Sequence, residues 1–241
     1  MEVINRLLDF KNINIVQNTD WFKFSLDSVL LCNFVTINKN TKNILDLCTG
    51  NAPIPLMLSL KTKADIIGVE LQEEVYDLGI KSIKLNNLEN QITLLNMDIN
   101  DLPSKYETDS FDIITCNPPF FKMTKDSIIN ENKVKSIARH EIKVNLDDIF
   151  KLSRKLLKNN GTIAMVHRTE RLIDIIDAMK KNNIEPKKLQ FVYPKVGKES
   201  NLILIEGTKN GNACLKVLPP LYIHDENGEY FEEIKKIISG N

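Results

Sequence analysis

Four short apolar runs in the first half of the chain, each meeting a polar residue at or just past its end, most constrain what this sequence can fold into. They are Asn43-Ile44-Leu45-Asp46-Leu47, Ile66-Ile67-Gly68-Val69-Glu70, Ile92-Thr93-Leu94-Leu95-Asn96-Met97 followed by Asp98, and Phe111-Asp112-Ile113-Ile114-Thr115-Cys116 followed by Asn117. Runs this short and this rich in β-branched residues read as buried strands. A helix opened by Pro53, with Pro55 in its first turn, follows the first run, and a helix from about Gln72 to Asn86 follows the second. Proline is tolerated at a helix start because those N–H groups have no intrahelical partner. Gly79 weakens the second helix by roughly 1 kcal/mol. Strands alternating with helices predict an α/β, doubly wound, parallel sheet. Such sheets bind ligands outside the carboxyl ends of their strands. Three carboxylates and an amide at that edge predict a cleft for an adenosine-like molecule. The loop Cys48-Thr49-Gly50-Asn51-Ala52, between a strand and a helix N-terminus, would take its polar end. Glu70 stands about where an acid meets ribose hydroxyls in nucleotide-binding folds.

Composition narrows the partners. The chain has 241 residues, 42% hydrophobic and 27% charged, which suits one large α/β domain with an ample core. Lys+Arg and Asp+Glu balance at 32 each, so a polyanion could be met only by a local basic patch. Cys32, Cys48, Cys116 and Cys214 are scattered without a C-x-x-C pair and read as small core residues, with no metal site. No signal peptide opens the chain and no apolar run has membrane-spanning length. The expectation is a cytosolic, soluble monomer of one domain over 1–241. Residues 1–40 and 208–241 would be extensions around a core at 41–207.

The turn Asn117-Pro118-Pro119-Phe120 carries the chemistry. Asn-Pro keeps Asn117 extended, and each proline fixes its own φ and removes an N–H donor. A stiff turn results that offers carbonyl oxygens and one amide oxygen. A planar amine with two N–H donors fits it, and Phe120 could stack on the ring carrying that amine. Taken alone, the turn could equally be a proline stop to a strand.

The remaining segments frame this centre. Ile13 to Gln17 could be a short strand, and Asn18-Thr19-Asp20 a turn. The run Leu26, Val29, Leu30, Asn33, Phe34 predicts a helix with Ser25 as N-cap. Phe24 and Asp27 then sit at its mouth, although Asp27 could be merely a first-turn carboxylate. Lys122 to Ser136 lacks periodicity and reads as a loop over the site. Arg139 and His140 follow it, with nucleic-acid contact or capping expected of His140 before general-base work. Leu146 to Leu157 predicts an amphipathic helix, and Gly161 to Val166 a fifth strand ending at His167, Arg168 and Arg171. Lys187 to Tyr193 and Asn201 to Glu206 predict an antiparallel hairpin, and a last helix falls near Tyr230 to Ile238. The lysine pairs at 180–181 and 187–188 read as solvated faces.

These residues together resemble a class I S-adenosylmethionine-dependent methyltransferase, and more narrowly the bacterial tRNA1(Val) adenine-N6 methyltransferase family. The resemblance is carried by Phe24-Ser25-Leu26-Asp27, Asp46-Leu47-Cys48-Thr49-Gly50-Asn51, Gly68-Val69-Glu70, Asp98 and Asn117-Pro118-Pro119-Phe120. Ala138-Arg139-His140-Glu141, Val166-His167-Arg168 and Phe191-Val192-Tyr193-Pro194-Lys195 add to it. It implies a Rossmann-like methyltransferase sheet, mostly parallel, with a C-terminal antiparallel hairpin. It also implies S-adenosylmethionine as cofactor, bound by Phe24, Asp27, Asp46, Cys48, Thr49, Gly50, Asn51, Glu70, Asp98 and Asn117. Asn117, Pro118, Pro119 and Phe120 would hold the target amine, an adenine N6 in tRNA. Arg139, His140, His167, Arg168, Arg171 and Lys195 would meet the RNA. The sequence departs from the family's glycine loop at Cys48 and Ala52, where each added Cβ narrows the approach of ligand to backbone. Two other readings are a protein-glutamine methyltransferase, whose extra N-terminal helical domain the 45 residues before Asp46 do not match, and a non-catalytic RNA-binding module of the same fold.

Overall fold

A computed structural model describes residues 1–7, 13–19, 25–119 and 145–239. The four runs are strands where expected: β3 (Asn43–Leu47), β4 (Asp65–Glu70), β5 (Ile92–Asn96) and β6 (Phe111–Cys116). Before them come β1 (Glu2–Arg6), β2 (Asn14–Asn18) and α1 (Leu26–Phe34); between them lie α2 (Pro53–Ser59) and α3 (Glu73–Leu85). After them come α4 (Leu146–Leu156), β7 (Leu157–Arg168), α5 (Leu172–Lys181), β8 (Ile184–Lys195) and β9 (Leu202–Lys209). Two short strands, β10 (Lys216–Val217) and β11 (Leu221–His224), and α6 (Glu232–Ser239) complete the described chain.

The nine-stranded sheet runs β10-β8-β9-β7-β6-β3-β4-β5, with β11 also on β8. Every pair from β5 to β7 is parallel. Only β9 runs against its neighbours, β7 and β8. The expected doubly wound sheet with a late antiparallel hairpin is therefore what forms. Because β9 reverses direction, β8 points the same way as the core strands, and β10 and β11 add to it in parallel. Those two strands, and β1 paired antiparallel with β2, were not expected. The chain leaves β3 toward β4 and β5 and returns on its other side with β6 and β7, so the topological switch point lies between β3 and β6.

Period-2 alternation explains the two-layer core. Ile44, Ile66, Ile92 and Ile113 face one cluster with Val29 and Leu30 of α1, Leu56 and Met57 of α2, and Ile234 of α6. Leu45, Leu47, Val69 and Ile114 face the other with Ile149 and Phe150 of α4 and Ile175 of α5. Each fully buried side chain of this kind contributes about 1.5–3 kcal/mol. At the amino edge, Asp112 joins three strands. Its Oδ2 accepts the backbone N–H groups of Lys42 and Asn43 at 2.9 Å, and its Oδ1 takes the Lys158 ammonium at 2.7 Å. Strand β7 starts at Leu157, earlier than expected, because residues 158–161 bulge out between the pairs Phe111–Leu157 and Ile113–Thr162.

Candidate active site

The switch point is built from a loop with an unusual backbone. Cys48, Gly50 and Ala52 all have positive φ, at 57°, 59° and 71°. Only Gly50 takes this conformation without a Cβ penalty; for the other two it costs roughly 1–2 kcal/mol each. The surrounding bonds hold the loop there. Thr49 N–H donates to Val69 O at 2.9 Å, and Ala52 N–H to Thr49 O at 3.1 Å. Asn51 Nδ2 donates to Val16 O at 2.8 Å, tying the loop to β2. A Cβ built on Gly50 would meet nothing within 4 Å, so this part of the backbone borders open space.

Two buried carboxylates organise the loop. Asp46 is fully buried and accepts the hydroxyls of Thr49 and Thr115, both at 2.6 Å. Burial raises its pKa to about 7, against the lowering effect of the two hydroxyls. Glu70 accepts Gly50 N–H through one oxygen and Gln72 N–H through the other, both at 2.9 Å. Burial raises its pKa as well. Each Glu70 oxygen keeps a lone pair for a further donor, and a ribose diol supplies two donors. This donor set and the open space at Gly50 fit the polar half of an adenosine. Asp98 follows β5 and accepts Asn100 N–H and Nδ2, both at 2.9 Å, capping the 3-10 turn Ile99–Ser104. Cys48 is half-buried, and its thiol together with burial holds the Cys116 thiol well above its ordinary pKa.

Asn117 leaves β6 beside this loop, since Leu47 and Cys116 are paired across β3 and β6. Its Nδ2 donates to Ser28 Oγ at 3.0 Å. Pro118 is buried and Pro119 half-buried. Ser28 was not among the residues expected at the site. Its signal was a small polar residue next to Asp27 in an otherwise mostly apolar helical run. Asp27 itself has its pKa raised by burial, with the Arg168 charge opposing. The first turn of α1 and the end of β7 are thus neighbours. Phe24, Phe120, Arg139, His140 and the stretch Lys122 to Ser136 lie outside the described residues.

Among the described residues, the basic side chains expected at the RNA do not form one cluster. Arg168 is exposed at the end of β7, and Arg171 is paired with Asp174 at 2.6 Å. Lys195 ends β8 and pairs in register with His224 of β11. Three strand spacings separate β8 from β6, roughly 14 Å along the edge. Lys195 lines a separate groove of about 850 Å³ with Lys198, His224 and Asp225, away from Asn117. His167, expected to meet the RNA, is buried at the end of β7. It is 5% exposed, its Nδ1 accepts Arg168 N–H at 2.8 Å, and burial with Arg171 and Arg168 lowers its pKa to about 4. Among the described residues no group of His, Cys, Asp and Glu could hold a metal ion, and no helix is long and apolar enough to cross a membrane.

Known proteins resemble this chain in sequence or in fold. A relative from Histophilus somni called tRNA1(Val) (adenine(37)-N6)-methyltransferase is 28% identical, covering 95% of this chain and 93% of its own. One of the same name from Parabacteroides distasonis is 27% identical over 84% and 83%. Among solved structures, one described as a predicted O-methyltransferase from Agrobacterium tumefaciens superposes with a TM-score of 0.71 at 16% identity, covering 89% of this chain and 96% of that one. Geranyl diphosphate C-methyltransferase from Streptomyces coelicolor, solved with S-adenosyl-L-homocysteine, gives 0.57 at 11% identity over 76% of each chain. The family model described as "Methyltransferase domain" matches residues 38–210, from just before β3 to the end of β9. With its switch point, its carboxylate-braced loop and its Asn-Pro-Pro turn inside that span, the chain belongs to the methyltransferase-domain family.

Proposed function

We propose that this protein transfers a methyl group from S-adenosylmethionine to the N6 amine of an adenine in tRNA. The observation that carries the reading is the position of Asn117. Its amide nitrogen is engaged by Ser28, and no hydrogen bond among the described residues reaches its Oδ1. The oxygen is left to accept an N–H beside the switch-point loop. Proline at 118 and 119 removes competing donors, and the Pro118 carbonyl is a second acceptor. The tRNA names of the relatives support the substrate class.

Glu70 would hold the ribose hydroxyls, Asp98 the adenine amine, and Asp46 with the Cys48–Gly50 backbone the methionine end. Asp27 and Phe24 would close the pocket from α1. The bound cofactor supplies an electrophilic methyl on a sulfonium, with a neutral thioether as leaving group. An exocyclic adenine amine is a weak nucleophile because its lone pair is delocalised into the ring. Two acceptors, Asn117 Oδ1 and Pro118 O, would turn that amine so that its lone pair points at the methyl. Orientation of this kind can supply several kcal/mol of the barrier, and no strong base is required. The target base would be flipped out of its stack and would stack on Phe120, worth on the order of 1–3 kcal/mol. Arg168, Arg171, Lys195 and Arg139 would meet phosphates along the same edge.

Radiolabelled methyl transfer to total tRNA from a strain lacking this protein, followed by nucleoside analysis, tests the reading. The expected product is N6-methyladenosine. Label appearing in protein glutamine, or in no substrate despite cofactor binding, would overturn it.

A further inference from the structure

We infer that Ser28 is a positioning residue for methyl transfer: it holds the nitrogen end of the Asn117 amide so that Oδ1 faces the substrate amine. This rests on the reading that Asn117 accepts that amine.

An asparagine amide turns about a broad, roughly two-fold torsion, and its two ends have nearly the same shape but opposite polarity. With Nδ2 toward the cleft, donors would face the donors of an adenine amine, and the amine would be repelled. The prolines at 118 and 119 stiffen the backbone but do not fix that torsion. Ser28 does. Its Oγ lies 3.0 Å from Asn117 Nδ2, across 89 positions of sequence. Ser28 is 4% exposed, in the first turn of α1, so little water competes for the bond. Its neighbours Val29 and Leu30 are locked in the core, so the hydroxyl is presented from a rigid element. Asp27 on the same turn lies within electrostatic reach of Arg168. The uncharged hydroxyl–amide pair therefore sets the aim of the acceptor without adding a charge beside the methyl donor.

The test is a double-mutant cycle read by single-turnover methylation of tRNA. Ser28→Cys keeps the shape but replaces the hydroxyl with a weak acceptor; Ser28→Thr keeps the hydroxyl. Ser28→Cys and Ser28→Ala should each slow methyl transfer about threefold to tenfold. Affinities for cofactor and tRNA should stay within about twofold of wild type, and Ser28→Thr should restore most of the rate. In an Asn117→Ala background, Ser28→Cys should add no further loss, because residues acting as one unit are not additive. In cofactor-free, 15N-labelled protein, the Asn117 side-chain amide protons should exchange faster in Ser28→Cys than in wild type. An equal loss in both backgrounds, or a loss of binding in place of rate, overturns the inference. If Asn117→Ala itself leaves the rate unchanged, the parent reading of Asn117 fails and takes this inference with it. A rate that falls in Asn117→Ala but not in Ser28→Cys sinks the inference alone.

Discussion

Glu70 braces the loop that it is proposed to serve: from the end of β4, its Oε2 accepts the backbone N–H of Gly50 in the loop after β3 at 2.9 Å. The carboxylate thus has a structural bond on each oxygen before any ligand arrives. Glu70→Ala should lower cofactor affinity by roughly 1.5–3 kcal/mol, through the removal of two charge-assisted bonds and a loosened Gly50. Isothermal titration calorimetry measures this directly. An unchanged dissociation constant would remove Glu70 from the pocket.

Asp46 makes stability depend on pH. Its folded pKa is raised from 3.8 to about 7 by burial, so the folded state binds a proton that the unfolded state has released. Stability should therefore fall as pH rises from near 4 toward 7 and level off above it. Comparing urea midpoints of wild type and Asp46→Asn across this range isolates the contribution, because the variant should lack that slope. A slope equal in both proteins would assign the dependence to another group.

Two glycines of the site should fail in different ways. Gly50 has φ +59° and open space around its Cβ direction, so Gly50→Ala should cost roughly 1–2 kcal/mol from the backbone alone. Its new methyl would also narrow the cleft and weaken cofactor binding. A Cβ on Gly68 would come within 2.5 Å of Leu94 Cδ2 and 2.8 Å of Thr49 Oγ1. Gly68→Ala should therefore lose about 1–3 kcal/mol by overpacking. Thermal melts with and without cofactor separate the two effects. A Gly50→Ala protein that binds cofactor like wild type would place the open space elsewhere than the cleft.

The basic edge separates capture from folding. Arg168→Ala and Lys195→Ala should each weaken tRNA binding and flatten its salt dependence by about one unit of slope for every phosphate no longer neutralised. His167→Ala should instead lower stability, since that residue is buried and paired in register with Ile203 of β9. Filter binding at several salt concentrations and a thermal melt of each variant decide this. A His167→Ala protein of normal stability and poor tRNA affinity would reverse the assignment.

Much of this fold was legible because β3, β4 and β6 are largely buried on both faces, which leaves a dense apolar signature with polar ends. The carboxylates at 46, 70 and 98 and the Asn-Pro-Pro turn were legible for the same reason. The loop backbone was not. Cysteine and alanine argue against a left-handed conformation at 48 and 52, and only the bonds around them enforce it. Ser28 was hidden because its partner is remote in sequence. The burial of His167 was not legible, because a residue at a strand end looks exposed until β9 is laid beside it. Strands β10 and β11 are too short to show a period, and their pairing depends on the direction that β9 restores to β8.

Asp112 has an evolutionary consequence. It fastens β3, β6 and β7 at the edge opposite the cleft, through Lys42, Asn43 and Lys158. The side chains that choose a ligand and the side chain that clamps their strands are thus inherited at different ends of the same segments. A descendant sequence can rewrite the loops after β3, β6 and β8, and so change what it modifies, while the clamp that keeps those strands in register passes on untouched.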